Sequence, residues 1–190
     1  MDRTWLRAAQ KLEFRDPARL LTELRKIERV LATSETPKKV KNLRTNPLRE
    51  WREVREAALF CYGMGQRIGR PVYLARGESQ DYDFVASWVV GDKQHLAPVQ
   101  LKEVVPQELN PNASLEATIA ALSKYVDSEE LTVAIHLNRQ IRFEPSTVSV
   151  PSLNIAALWV FASLTPEQSQ WGLWGNFLEQ PAGTRFEYPA

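Results

Sequence analysis

The spacing of hydrophobic positions predicts helices in the first third of the chain. Apolar side chains recur at helical spacing from Leu20 to Leu31, after Asp16-Pro17, a pair typical of a helix N-terminus. Residues 33–37 are expected to end this helix. A short helix is predicted before it, over residues 4–14. A third helix is predicted from Asn46-Pro47 to about Gln66, and Gly69 is expected to end it.

Shorter apolar runs separated by turn residues predict strands in the middle of the chain. Two of them, Phe84–Val90 and Ala97–Val105, flank Gly91-Asp92-Lys93 and predict a β-hairpin. A strand over residues 71–75 precedes the hairpin, and a helix capped by Ser114 and running from 115 to about 126 follows it. The next run, Leu131–Leu137, is almost entirely apolar, which predicts a strand buried on both faces. A crossover helix between these strands predicts that they are parallel.

The C-terminal pattern leaves alternatives open. Residues 153–164 fit one buried strand or a short helix followed by a strand, residues 170–177 are a further apolar stretch, and residues 185–188 fit a last strand. Trp171 and Trp174 either close a core or stack on nucleic-acid bases.

The predicted hairpin gathers three polar groups. Asp83 begins its first arm, and Gln100 and Lys102 lie two apart in the second arm, so their side chains point to one face of the sheet. A carboxylate, an amide and an ammonium are costly to place beside a core. Their proximity therefore indicates a functional site, and a structural role is the alternative. In that alternative Asp83 caps a turn, Lys102 pairs with Asp81 or Glu78, and Gln100 faces solvent.

These residues resemble a known signature. Asp83, Gln100, Leu101 and Lys102 are similar to the Asp…(Glu/Gln)-x-Lys motif of the PD-(D/E)XK nuclease superfamily, although Tyr82 stands where that motif has proline. A helix rich in Glu and Ala (residues 55–59) and a Gly77-Glu78 pair precede the motif, as in resolvase-like members. The resemblance extends over about residues 49–139.

The resemblance implies an α/β fold with a restriction-endonuclease-like core. That core has the order helix, three strands, helix, strand, and its mixed sheet is flanked by helices. We expect an N-terminal helical extension over residues 1–46, packed on a nuclease domain over residues 47–190 that carries extra C-terminal strands.

The resemblance also implies a metal-dependent deoxyribonuclease. Mg²⁺ or Mn²⁺ would bind to Asp83, the Leu101 carbonyl and Gln100, and Lys102 would orient or activate the attacking water. A helix glutamate would join the metal: we choose Glu56, although it lies off the main apolar stripe of its helix, with Glu53 and Glu50 as alternatives. An inactive nuclease-like fold that binds protein or nucleic acid is the competing hypothesis.

Charge is concentrated in one segment. The net charge of the chain is only +1, but residues 38–55 hold seven bases and two acids. This segment could neutralise DNA phosphates, or it could be a solvated linker and helix face. The residues expected to contact DNA are Lys38, Lys39, Lys41, Arg44, Arg49 and Arg52.

Other residues narrow the choice of chemistry. The single Cys61 excludes an intrachain disulfide and is expected to be a buried hydrophobe. His95 and His136 have no partners at zinc-ligand spacing, so no zinc site is expected. The opening residues lack a signal-peptide pattern and no apolar run is long enough to span a bilayer, so we expect a cytoplasmic protein without membrane contact. A homodimer stays open.

Overall fold

The computed structural model of the chain describes residues 3–35, 37, 45, 48–77 and 82–189, without the side chains of Arg3 and Thr4. Four of the bases expected to contact DNA lie outside these ranges: Lys38, Lys39, Lys41 and Arg44. Asn46-Pro47, the predicted start of the third helix, also lies outside them, as do Glu78 and Asp81.

Two helices open the described chain. Helix α1 covers Arg3–Ala9, and α2 covers Pro17–Thr33. The Asp16 carboxylate accepts hydrogen bonds from the backbone N–H groups of Ala18 and Arg19, at 2.8 and 3.4 Å. The predicted N-terminus of α2 is therefore confirmed, because Asp16 satisfies amides that a helix leaves unpaired.

Helix α3 covers Arg49–Ile68 and packs between α2 and the sheet. It ends at Gly69, as predicted, with this residue in the left-handed region at φ 66°. Gly63 lies against the ring of Phe186, where a Cβ atom would approach to 2.6 Å. Glycine at this position therefore lets α3 pack closely against Phe186.

Seven strands form one mixed sheet in sequential order. The first three pair antiparallel, β3 to β4 and β4 to β5 are parallel, and the last two pairings are antiparallel. The predicted α/β class is therefore confirmed. The strands are β1 Tyr73–Arg76, β2 Phe84–Val90, β3 Lys93–Val104, β4 Ser128–Leu137, β5 Ile155–Ser163, β6 Gln170–Gly175 and β7 Ala182–Glu187.

The hairpin and the crossover both form. Val90 pairs with Lys93 at the hairpin turn and Phe84 pairs with Val99 at the open end. Helix α4, Leu115–Ala120, carries the chain from β3 to the parallel strand β4. It is shorter than predicted, because residues 121–124 continue it as a 3₁₀ turn.

The sheet separates two cores. Leu101, Ala134 and Phe161 belong to the core under α3, which also receives Leu21 of α2. Val104 and Ile135 belong to the core under α4. Adjacent residues of β3 and β4 therefore face different helices, and this alternation decides where each polar side chain of the sheet lies.

The C-terminal alternatives resolve in favour of strands. Residues 155–163 form one strand, β5, without a preceding helix turn. Trp171 is fully buried and closes the core under α3, whereas Trp174 is half-buried. No helix in the described ranges is long and apolar enough to cross a membrane.

Candidate metal centre

The carboxyl ends of the parallel strands β3 and β4 place two polar side chains beneath α3. Glu103 and His136 are partners across the β3–β4 ladder. Strand alternation puts them on the same face as Leu101 and Ala134, in the core under α3. Ligands commonly bind beyond the carboxyl ends of parallel strands, so this edge is a natural position for a site.

Helix α3 adds a carboxylate to this pair. The Glu56 side chain lies with its Oε1 atom 3.1 Å from Nδ1 of His136. Both residues are buried, at 5% and 4% exposure. The position of Glu56 off the main apolar stripe of its helix does not keep it at the surface, because α3 is covered by α2 as well as by the sheet.

Neighbouring side chains hold this arrangement in place. The His136 ring stacks on Phe161 at 5.0 Å between centroids, with 10° between the planes. Trp171 contacts the same imidazole at 5.6 Å. Asn138 donates from Nδ2 to Oε1 of Glu103 at 2.7 Å. Packing fixes the plane of the imidazole, and the amide fixes one carboxylate oxygen.

Glu56, Glu103 and His136, which we call the Glu–Glu–His cluster, could hold a metal ion. One ligand atom from each residue lies within 4.8 Å of the other two. Carboxylates suit Mg²⁺ and Mn²⁺, whereas an imidazole suits later transition metals. The two carboxylates bring negative charge close together here, and a divalent cation would balance that charge.

The cluster borders a large open cavity. Glu56 and His136 form part of the wall of this cavity, whose volume is about 1330 Å³. We call it the arginine groove after four residues on its border: Arg52, Arg55, Arg139 and Arg142.

The arginines of the groove differ in how they are neutralised. Arg55 pairs with Glu28 at 2.5 Å and donates to Oε1 of Gln168. Arg139 donates to the carbonyl oxygens of Ala113 and Asn110, which leaves its charge unneutralised by those contacts. The Nε atoms of Arg52, Arg55 and Arg139 are buried without a well-aligned hydrogen bond in the described part of the chain, but of the three only that of Arg55 lies beside a carboxylate, Glu28.

The structure brings Asp83 and Gln100 together. The Gln100 amide donates to Oδ2 of Asp83, and the backbone N–H of Leu101 donates to the same oxygen at 2.6 Å. Lys102 lies on the same face of β3 as Gln100, with its Nζ atom 5.8 Å from the ring centroid of Tyr125. Asp83, Gln100 and Lys102 are called the Asp83 group below.

Glu56 does not join the Asp83 group. Gln100 and Lys102 face the core under α4, whereas Glu56 packs under α3 against His136. The other two helix glutamates point elsewhere: Glu50 pairs with Arg76, and Glu53 pairs with Arg49 at 2.7 Å. Of the three, only Glu53 has a charge that acts on Asp83.

Opposing effects set the ionisation of Asp83. Burial raises the pKa of this carboxyl above its ordinary value of 3.8, and the charge of Glu53 acts in the same direction. The Leu101 N–H, the charge of Lys102 and the Gln100 amide lower the pKa, but burial outweighs them. The pKa of Asp83 is therefore raised even though its Oδ2 atom accepts two hydrogen bonds from β3.

Two of the residues predicted to contact DNA, Arg49 and Arg52, lie in the described part of the chain and have different surroundings. Arg49 pairs with Glu53, so its charge is partly neutralised on the surface of α3. Arg52 borders the arginine groove. Cys61 is fully buried, and burial raises the pKa of its thiol, which agrees with the prediction that it is a hydrophobe and not a nucleophile.

Comparison with known proteins identifies no relative. No protein-family model, no curated protein and no solved structure matches the chain.

Sequence reasoning missed the Glu–Glu–His cluster because its members come from three different elements. The sequence offers His136 no Cys or His partner at metal-ligand spacing, but in the fold it lies beside Glu56 of α3 and Glu103 of β3. The available signal was a histidine inside a strand that is otherwise apolar. A buried imidazole needs a polar partner, which only the fold could identify.

Proposed function

We propose that this chain is a metal-dependent nuclease that hydrolyses DNA phosphodiester bonds at the edge of the arginine groove. One observation carries the proposal: a cluster of two carboxylates and an imidazole borders a groove lined by four arginines. Phosphodiester hydrolysis requires a divalent cation and positive charge that stabilises the transferring phosphoryl group. The groove combines ligand atoms that could hold a divalent cation with arginine side chains that supply positive charge.

The order of elements supports the same proposal. Helix α3, strands β1 to β3, helix α4 and strand β4 follow the order of a restriction-endonuclease-like core, with β3 and β4 parallel. Strands β5 to β7 would be additions to that core, and α1 and α2 an N-terminal extension. This likeness of topology supports a nuclease but does not identify which residues would form its active site.

Glu56, Glu103 and His136 are the residues that would hold the metal. When bound, a divalent ion would polarise a phosphoryl oxygen and acidify a water molecule. The hydrogen bond from Asn138 orients Glu103, and the stacking of Phe161 orients His136. Because the set mixes carboxylates with an imidazole, we expect Mn²⁺ to bind more tightly than Mg²⁺.

The Asp83 group is the second position for the metal, as the sequence resemblance implies. Its oxygen donors would be Asp83, Gln100 and the Leu101 carbonyl, and Glu53 is the helix glutamate whose charge acts on Asp83. The Glu–Glu–His cluster is the better-supported position, since Oδ2 of Asp83 already accepts two hydrogen bonds. Asp83 also belongs to no group of three ionisable donors within the described ranges.

A binding module without catalysis is the competing function. The observation that favours it is the role of Asp83, whose carboxylate bonds the Leu101 N–H of the adjacent strand. Such a contact stabilises the hairpin whether or not a metal is present. A nuclease-like fold that kept these residues for structure would still bind DNA through the arginine groove.

Mn²⁺ titration calorimetry distinguishes the two metal positions. We expect one Mn²⁺ per wild-type chain, loss of binding in Glu103→Gln and unchanged binding in Asp83→Asn. Glu108→Gln is the matched control, because Glu108 borders the same groove outside the cluster and is exposed. Retained binding in Glu103→Gln together with loss in Asp83→Asn would move the metal to the Asp83 group. No binding to the wild type would reject a metal-dependent nuclease.

A further inference from the structure

We propose that the arginine groove binds single-stranded DNA, with Arg52 and Arg139 on the phosphates and Trp174 and Phe143 on the bases. The inference rests on the proposed function, because it names the form of DNA that this site receives. It starts from size: pockets for small molecules occupy about 300–1,000 Å³, and this groove has about 1330 Å³. The groove therefore suits a segment of a polymer.

The phosphate contacts follow from the unneutralised arginines. The Nε atoms of Arg52 and Arg139 are buried at the groove and have no hydrogen-bond partner in the described ranges. Both side chains are half-buried, border the groove and form no ion pair within the described residues, so their guanidinium groups can pair with a phosphate there. Arg55 is excluded from this role, since Glu28 neutralises it.

The base contacts follow from two aromatic side chains on the same groove. Phe143 and Trp174 meet edge to face, with 4.9 Å between ring centroids, and both border the cavity. The indole of Trp174 lies over Gly172 and Gly183, where a Cβ atom on either glycine would crowd the ring. Glycine at these positions lets the indole lie against the sheet, and the half-buried side chain still borders the groove.

Cations beside aromatic rings favour a single strand over a duplex. In a duplex the faces of the bases are stacked on each other, so an aromatic side chain gains no access to them. In a single strand the bases can turn onto aromatic rings while the backbone follows the positive charges. The groove offers both kinds of contact in one cavity.

The test measures DNA binding without metal, so that no cleavage is needed. Fluorescence anisotropy with labelled oligothymidylate, in EDTA and over a salt series, is compared with the oligothymidylate–oligoadenylate duplex. We expect tighter binding of the single strand. Arg52→Gln should reduce the slope of log K against log salt by about 0.7, the value for one phosphate contact on a single strand.

Variants of Trp174 test stacking separately from charge. Trp174→Leu should weaken oligothymidylate binding by roughly 5- to 150-fold, with the salt slope unchanged. Trp174→Phe should retain most of the affinity, which separates stacking from a loss of folding. The matched controls lie outside the groove: Arg19→Gln on α2 and Trp88→Leu in the hairpin should bind like the wild type.

The outcomes separate this inference from the proposed function. Equal or tighter binding of the duplex, or wild-type affinity in both Arg52→Gln and Trp174→Leu, would overturn the single-strand inference even if the protein cleaves DNA with Mn²⁺. Tight binding of the single strand that depends on both residues would support it, even if no Mn²⁺-dependent cleavage is found.

Discussion

The environment of the Asp83 carboxyl group acts on its pKa in two opposing directions. It accepts hydrogen bonds from Leu101 and Gln100, which stabilise the charged form. Burial disfavours the charged form and has the larger effect, so the pKa is raised above 3.8. The folded protein therefore binds a proton at this residue more tightly than the unfolded chain does.

The raised pKa of Asp83 predicts a stability that falls with pH. Its contribution is fully present below the ordinary value of 3.8 and is lost as the pH rises through the raised value. Asp83→Asn should remove this loss, so the wild type should lose free energy of unfolding relative to the variant as the pH rises through that window, and the difference should be constant outside it. Urea unfolding at closely spaced pH values measures it, with Asp92→Asn at the exposed hairpin turn as the control for net charge. Parallel profiles of wild type and Asp83→Asn across the window would contradict the prediction.

The residues of the metal centre show what a sequence can and cannot predict at this scale. The two-residue spacing of Gln100 and Lys102 is a local property of a strand, so their common face was predictable. The contact between Glu56 and His136 depends on how α3 lies across the sheet, and 80 residues separate them. No local period contains that information.

At the scale of elements, the stop signal of α3 is a single backbone conformation. Gly69 adopts φ 66°, and a Cβ atom there would meet nothing within 4 Å. A substitution at this position therefore tests backbone strain without steric overlap. L-residues with a side chain pay for this conformation because Cβ approaches the following carbonyl oxygen.

Gly69→Ala should lower the free energy of unfolding by about 1–2 kcal/mol. Gly69→Asn should lose less, because asparagine adopts the left-handed conformation more readily. Urea unfolding of both variants measures the difference. Equal losses for Ala and Asn, or no loss for Ala, would show that the helix end does not depend on the left-handed conformation.

The type and order of most elements were predictable because each depends on local periodicity and on capping residues. Asp16, Ser114 and Gly69 mark helix ends through contacts with backbone groups a few residues away. The length of α4 was overpredicted, since the chain tightens into a 3₁₀ turn at residues 121–124, where no glycine or proline marks the change. Whether residues 153–164 began with a helix turn was open, and pairing with β4 and β6 decides it.

At the scale of the whole molecule, the sheet separates two groups of polar residues. The sequence resemblance implies one metal site that contains both Asp83 and Glu56, whereas the fold places these residues in different groups. The Asp83 group and the Glu–Glu–His cluster both involve residues near the carboxyl end of β3, but they face different helices. Arg52 and Arg139, which form no ion pair within the described residues, border the groove beside the cluster. This distribution of charge is why the chain, with a net charge of only +1, can still offer a site for an anionic polymer.

Cleavage assays on two variants decide which group carries the chemistry. With Mn²⁺ and single-stranded, linear duplex, nicked and branched DNA, Glu103→Gln should lose roughly a hundredfold to a thousandfold in rate, as expected when an electrostatic contact to the reacting group is removed. Lys102→Ala should stay within a few-fold of the wild type, because Lys102 faces α4 and lies beside Tyr125. Gln100→Glu, which supplies the commoner acid of the superfamily signature, should likewise leave the rate unchanged.

The opposite pattern has an equally definite meaning. Loss of cleavage in Lys102→Ala, together with a higher rate in Gln100→Glu and an unaffected Glu103→Gln, would assign the reaction to the Asp83 group, as the resemblance implies. If the wild type cuts none of these substrates with Mn²⁺ or Mg²⁺, the binding module becomes the better account. The hydrogen bonds of Asp83 would then be purely structural, and Arg52 and Trp174 would remain the residues through which the protein contacts DNA.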